Sequence, residues 1–292
     1  MNHTTDFDFI EPVKLADNLM FFYWGRHPKH DNIDMQLGGG AYVIFEGNEA
    51  IAIDSMNLPG HGRWVRNYME KEYAISKFTL VNSHWHEDHI AENHVYADGP
   101  IIAHEDTRAL MIKHRDSLQT GAHNGVPAFP VVLPTICFRN RLDIWCGSIK
   151  IELHQFAIHE LGHIAAYLPD QKILIVSDML EDPIWFFSFD VADADTQIAE
   201  LQRMSGMQLD HIFPVHGDLD TIRNGGYDGS LIQHNADYLT QMMAKKDSSD
   251  FRQMKVEQFI QQALDIGELH WWEPYRQVHT VNIKTIEKLS IR

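Results

Sequence analysis

The alternation of apolar and polar residues along the chain predicts a mixed α/β protein that begins as a β-meander. Short apolar or alternating runs bounded by Gly, Asn and Pro predict β-strands. In the first half of the chain these strands are expected at 19–24, 41–45, 50–54, 78–82 and 101–103. In the second half they are expected at 135–138, 142–145, 149–156, 165–168, 173–176 and 211–215.

Apolar residues three and four positions apart predict helices between and after these strands. They are expected at 61–73, from residue 87, and at 105–117, 194–204, 231–244 and 254–264. Residues 119–135, rich in Gly and Pro, predict a long loop that could border a site. We expect residues 1–227 to form one domain and residues 228–292 to form a helical extension packed on the same domain.

Composition and charge indicate a globular protein and disfavour partners with a negatively charged surface. A chain of 292 residues with 44% hydrophobic residues can bury a large core. The net charge of -17 disfavours nucleic acid and membrane surfaces as partners. The chain contains neither an apolar run long enough to span a membrane nor a leader-like start, so we expect a cytoplasmic protein. Its two cysteines, Cys137 and Cys146, are expected to be reduced, buried residues.

The chain also contains 19 histidines, and six positions from 84 to 89 read His-Trp-His-Glu-Asp-His. His84 and His86 alternate just after a predicted buried strand, so both side chains can reach one cation. Asp88 and His89 lie half a helical turn further on and can serve a second cation. Imidazole and carboxylate are common zinc ligands, and this spacing is specific enough to predict a metal-binding loop.

Three further residues stand in the same context, each at the end of an apolar run. They are His159, Asp178 and His216. Loops that follow neighbouring strands converge at one edge of a sheet, so we expect these side chains to join the His-rich loop. The combined set of five imidazoles and two carboxylates suits two metal ions with positions left open for water.

The order of these motifs resembles the metallo-β-lactamase superfamily over roughly residues 19–217. In order they are H-x-H-x-D-H, a His before a Gly-His pair, an Asp after an apolar strand, and a His-Gly pair. The resemblance implies a four-layer αββα sandwich with a C-terminal helical extension. It implies a first metal bound by His84, His86 and His159. It implies a second metal bound by Asp88, His89 and His216, with Asp178 bridging both.

The resemblance also assigns roles to two residues near these ligands. Asp54 matches the acidic residue that supports the His-rich loop from behind. His163 matches a structural histidine of glyoxalase-II-like members. One departure lies beside the third ligand, where Glu160-Leu161 replaces the residues that follow this histidine in many relatives. We assign His159 rather than His163 to the metal.

These residues predict a hydrolase that works with two zinc ions per chain, although iron or manganese could occupy the same ligands. Two adjacent cations provide a hydroxide at neutral pH, and Asp88 is expected to orient it and shuttle a proton to the leaving group. The expected substrate is a small molecule with an ester, thioester, lactone or amide-type bond. Whether the protein is a homo-oligomer stays open.

Two other functions are compatible with the same residues. One is a mononuclear iron oxidoreductase of the persulfide dioxygenase kind, and the other is a non-catalytic metal-binding subunit. The aromatic segment 270–275 could overhang the metals, but Trp271 and Trp272 are expected to pack a helical tail. His234 and Tyr238, one helical turn apart, are expected on a helix surface.

Overall fold

Two β-sheets with helices beside them make up the fold in the computed structural model, which describes residues 10–25, 36–123, 127–188 and 192–289. The strands are β1 (Glu11–Ala16), β2 (Leu19–Tyr23), β3 (Gly40–Glu46), β4 (Glu49–Ile53), β5 (Lys77–Val81), β6 (Ile101–His104), β7 (Ile136–Phe138), β8 (Arg141–Cys146), β9 (Ile149–Gln155), β10 (Ile164–Leu168), β11 (Ile173–Ser177) and β12 (His211–Pro214). The helices are α1 (His61–Tyr73), α2 (Glu87–Ile90), α3 (Glu105–Lys113), α4 (Arg115–Thr120), α5 (Ala194–Ser205), α6 (Leu219–Arg223), α7 (Ser230–Lys245), α8 (Glu257–Asp265) and α9 (Tyr275–Leu289). The predicted α/β class is confirmed.

The seven-stranded sheet runs in chain order from β1 to β7. Strands β1 to β4 pair antiparallel, whereas β4 to β7 pair parallel. Ile53 of β4 lies opposite Val81 of β5, so the carboxyl ends of these two strands lie side by side. Asp54 directly follows β4 and Asn82 directly follows β5, so both residues lie at the carboxyl ends of these strands. Ligands of α/β proteins bind outside the carboxyl ends of parallel strands.

The five-stranded sheet has the order β12-β11-β10-β9-β8. Its strands β8 to β10 pair antiparallel, and β11 pairs parallel with β12. Ser177 lies opposite Pro214 in that parallel pair. Asp178 and His216 therefore stand just beyond the carboxyl ends of two adjacent strands, as the sequence pattern predicts.

The chain forms two compact units, Met1–Gln155 with Ile164–Asp170, and Phe156–His163 with Gln171–Arg292. In the first unit α1 buries Val65 and Met69 against alternate residues of β3 to β5. In the second unit α7 packs on α5, α8 and α9. The predicted division of the chain into a domain over residues 1–227 and a helical extension over residues 228–292 stays a prediction.

Most of the predicted elements are present, and α1 has the predicted bounds. The single helix predicted over residues 105–117 is wrong, because α3 ends at Lys113 and α4 begins at Arg115. The residue between them, His114, stacks its ring on Trp85 with 4.4 Å between centroids. Tertiary contacts of this kind override the local preference for an uninterrupted helix. The edge strand β1 was not predicted.

Three smaller expectations need correction. Cys137 is exposed, although Cys146 is buried, and both thiols are free as expected. Tyr238 does not lie on a helix surface, because α7 buries it. Trp271 and Trp272 are half-buried rather than core residues.

Among the helices of the described residues, none combines the length and apolarity needed to cross a bilayer.

Candidate metal centre

The His-rich loop connects β5 to the short helix α2. His84 and His89 are fully buried, whereas His86 and Asp88 are partly exposed. The ring of His84 lies 4.5 Å from that of His86 and 4.1 Å from that of His89, measured between centroids. Asp88 Oδ2 lies 3.2 Å from His89 Nε2. The loop therefore brings together the four ligands that its spacing predicts.

Asp54 supports this loop from the end of β4 and is completely buried. Its Oδ1 accepts a 2.7 Å hydrogen bond from the Ser83 backbone N–H, and its Oδ2 accepts one of 2.7 Å from the Ser83 hydroxyl. The Oδ2 atom also lies 2.8 Å from His89 Nδ1. A carboxylate can only accept, so His89 donates from Nδ1 and keeps its lone pair on Nε2.

Ser83 extends the same arrangement to His84. Its hydroxyl oxygen lies 3.0 Å from His84 Nδ1 and has already given its proton to Asp54. His84 Nδ1 is therefore the donor, and the lone pair of this ring also lies on Nε2. One carboxylate thus selects the same ligand atom in two histidines, the second through a serine. Sequence reasoning identified Asp54 but missed Ser83.

A buried polar cluster fixes the loop from its other side. Asn82 and Asn93 exchange two side-chain hydrogen bonds of 2.9 Å. The hydroxyl of Ser55 lies 2.9 Å from Asn93 Oδ1 and 3.1 Å from the carbonyl of His89. Buried polar groups that are fully paired make a loop rigid. Asn and Ser between a strand and a helix are common turn residues, so sequence alone offered no signal for this cluster.

The remaining three predicted ligands, His159, Asp178 and His216, are all buried. Asp178 Oδ2 lies 3.9 Å from His159 Nε2 and 3.4 Å from His216 Nε2. A single carboxylate oxygen therefore faces both histidines. His159 has a φ of 61°, a left-handed conformation that a non-glycine residue rarely adopts. Such strained residues cluster at functional sites.

His159 and His163, the two candidates for the third ligand of the first metal, have different surroundings. His159 lies near Asp178, whereas His163 is fully buried and its backbone carbonyl accepts a 3.0 Å bond from the Phe156 N–H. The two rings lie 5.5 Å apart. The assignment of His159 to the metal and of a structural role to His163 stays a prediction.

The possible ligand atoms form two groups, and in each group all atoms lie within 4.8 Å of one another. One group consists of His84, His86, His159 and Asp178. The other consists of Asp88, His89, Asp178 and His216. Nitrogen-rich sets with one or two carboxylates suit zinc and other first-row transition metals. This His and Asp cluster can therefore hold metal ions, and Asp178 is common to both groups.

No protein-family model matches the chain. A linear primary-alkylsulfatase from a Pseudomonas species is 26% identical over 127 residues. The match covers 42% of this chain and 23% of the alkylsulfatase, so the aligned region is less than a quarter of that relative.

Solved structures provide a broader likeness. A metallo-β-lactamase from Pontibacter korlensis superposes with a TM-score of 0.63 at 17% identity, covering 79% of this chain and 99% of that protein. A metallo-β-lactamase from Hirschia baltica superposes with a TM-score of 0.59 at 15% identity, covering 79% of this chain and 97% of that protein. Both likenesses agree with the motif order in the sequence. The chain has the metallo-β-lactamase fold.

Proposed function

We propose that the protein is a hydrolase that binds two zinc ions and cleaves an ester, thioester, lactone or amide-type bond in a small molecule. The observation that carries this proposal is the position of Asp178, which belongs to both groups of ligand atoms. A carboxylate shared in this way is suited to bridge two cations. A site for one metal needs no such shared ligand.

In the proposed arrangement each metal has three ligands of its own. The first is bound by His84, His86 and His159. The second is bound by Asp88, His89 and His216. Support comes from Asp54 and Ser83, which direct the lone pairs of His84 and His89 to Nε2. Support also comes from the single oxygen of Asp178 that faces His159 and His216.

When bound, two zinc ions would supply a hydroxide at neutral pH and polarise the scissile carbonyl. Asp88 is the residue best placed to orient the attacking water, because its carboxylate is partly exposed and lies beside His89. It can accept the proton of that water and pass it to the leaving group.

Sulfate esters form a second candidate substrate class. The only reason to include them is the similarity to the alkylsulfatase, which extends over 127 residues. The seven proposed ligands are compatible with carbonyl substrates and with sulfate esters. Turnover assays distinguish the two classes.

The test is turnover by zinc-loaded protein of p-nitrophenyl esters, thioesters, lactones, p-nitrophenyl sulfate and alkyl sulfates. We expect cleavage in at least one class. Asp88→Asn should lower kcat by about 100-fold or more, since a positioned acid–base group contributes about that much. The exposed Asp265→Asn is the matched control and should leave kcat unchanged. No turnover in any class, or oxygen-consuming activity with iron alone, would contradict the proposal.

A further inference from the structure

A cavity of about 330 Å³ lies between helix α9 and the segment that leads into α8. Its volume is within the range of small-molecule sites. All of its lining residues belong to the second compact unit, and none of them is a proposed metal ligand. Its walls include Arg252, Lys255, Val256, Arg276, Ile283 and Lys284.

Positive charge is concentrated around this cavity. Four of its ten lining residues are Lys or Arg, and one is Glu. The whole chain has the opposite balance, with 24 Lys and Arg residues and 41 Asp and Glu residues. A cavity lined by one sign of charge attracts ligands of the other sign. The local charge therefore favours an anion, although the protein as a whole is acidic.

Two of the cations fix the walls of the cavity. Arg252 forms an ion pair with Glu287 of α9. Arg276 of α9 lies 3.0 Å from Glu257, at the start of α8, measured from Nη1 to Oε1. Both contacts join the segment before α8 to helix α9. The cavity is therefore held in shape by the protein itself, as small-molecule sites commonly are.

The floor of the cavity is apolar. Val256 is fully buried and Ile283 is 6% exposed, while Met254 is half-buried. His279 Nε2 lies 3.0 Å from the Met254 carbonyl and holds this part of the segment against α9. An organic group that covered these side chains would remove further apolar surface from water, which favours binding.

The other two cations are exposed lysines, and they differ from the arginines in their partners. In the described part of the chain, neither Lys255 nor Lys284 forms an ion pair with a carboxylate. Ammonium groups at the edge of an apolar floor suit a ligand that has a charged end and an apolar body. A fully hydrated inorganic anion would make no use of that floor.

We propose that this cavity binds a small organic carboxylate of medium chain length. Its charged group would pair with Lys255 and Lys284, and its apolar body would cover Val256 and Ile283. Binding would combine charge attraction with the burial of apolar surface, and no covalent bond would form or break. The site does not depend on the proposed function, because it uses none of the seven proposed metal ligands.

The test is titration of the zinc-loaded protein with octanoate, measured by calorimetry and by the methyl NMR signals of Met254 and Ile283. We expect both signals to shift. Lys284→Gln should weaken binding by about threefold, and Lys255→Gln/Lys284→Gln by about tenfold, as expected for partly exposed ion pairs. The matched control is Lys288→Gln, which removes an exposed charge from α9 outside the cavity and should leave the affinity unchanged.

Acetate and octanol separate the two contributions to binding. Acetate lacks the apolar body and octanol lacks the charge, so each should bind at least about tenfold more weakly than octanoate. If either binds as tightly as octanoate, the proposed ligand class is wrong.

Two results would overturn the site itself. One is octanoate binding that leaves the methyl signals of Met254 and Ile283 unchanged, as binding at the metal centre would. The other is equal affinity of Lys288→Gln and the double lysine variant, both shown to be folded by circular dichroism. If octanoate binds as expected but the protein cleaves no substrate, only the proposed function fails.

Discussion

Asp54 is a buried residue outside the proposed ligand set that contacts the His-rich loop at three points. Its carboxylate pairs with two groups of Ser83 and with His89. Its φ of 67° lies in the left-handed region, which costs free energy for a residue with a side chain. Because it directs the rings of two proposed ligands, a change at Asp54 should appear first in metal affinity.

We expect Asp54→Asn to weaken zinc binding by about 10- to 100-fold, as for other groups that orient metal-bound histidines. The amide would place an N–H group toward donors that now meet an oxygen. Competition with a chelator of known zinc affinity measures the change. Asp210→Asn, at an exposed ion pair with Lys172, is the control. Equal affinities in a folded Asp54→Asn protein would show that the loop does not depend on this carboxylate.

At the scale of single residues, the motifs predict seven ligands and one support, Asp54, but they do not contain Ser83 or Asn93. The ligands have characteristic types and spacing within short motifs. Ser83 bonds to Asp54 across 29 residues, and Asn93 bonds to Ser55 across 38 residues. Neither residue belongs to a local pattern, because the fold alone brings such partners together. A single serine or asparagine in a loop has many other possible roles.

At the scale of elements, local patterns predict strongly amphipathic segments best. Helix α1 was predicted with its bounds because Val65 and Met69 repeat at helical spacing and face the core. Strand β1 was missed because Glu11–Ala16 is an edge strand with only one buried residue, so its alternation is weak. The break at His114 depends on a contact with Trp85, which no helical pattern contains.

The helical extension contains a buried polar contact that should make its stability depend on pH. The imidazole of His279 accepts a 2.7 Å bond from the Tyr238 hydroxyl at Nδ1 and donates one of 3.0 Å to the Met254 carbonyl from Nε2. Burial lowers the pKa of His279 below its usual 6.5. The folded chain thus binds this proton less tightly than the unfolded chain does. The stabilisation is complete above 6.5 and is lost as the pH falls toward the lowered pKa.

We therefore expect the stability difference between wild type and His279→Gln to be larger at pH 7.5 than at pH 5.5. The wild type should lose stability on acidification that the variant does not lose, because glutamine has no proton to gain in this range. Urea unfolding of the metal-free proteins at both pH values measures the difference. A difference that stays constant, or grows in acid, would contradict the assignment.

At the scale of the whole molecule, the acidic chain buries carboxylates and imidazoles both at the candidate metal site and elsewhere. Asp54 and Asp178 are buried in a protein of net charge -17. Buried charges need compensation by partners or by cations. Metal binding should therefore stabilise the fold as well as supply chemistry. The expected small-molecule substrate and the expected absence of nucleic-acid and membrane partners remain predictions.

Zinc at 100 times its dissociation constant should stabilise the folded chain by about 2.7 kcal/mol for each site. The melting temperature of metal-free protein should rise accordingly on addition of zinc, and should fall again with a chelator. Magnesium at the same concentration is the control, because it prefers oxygen ligands and should have little effect. A melting temperature that does not respond to zinc would indicate that the buried ligands bind no metal.

The most direct test of the account is the metal content of purified protein after equilibration with zinc, measured by mass spectrometry. Two zinc ions per chain are predicted for the wild type. Asp178→Ala should retain fewer than one, because both proposed sites lose a ligand. In contrast, a wild-type content below one zinc ion per chain, or an unchanged content in Asp178→Ala, would contradict a two-metal centre bridged by Asp178.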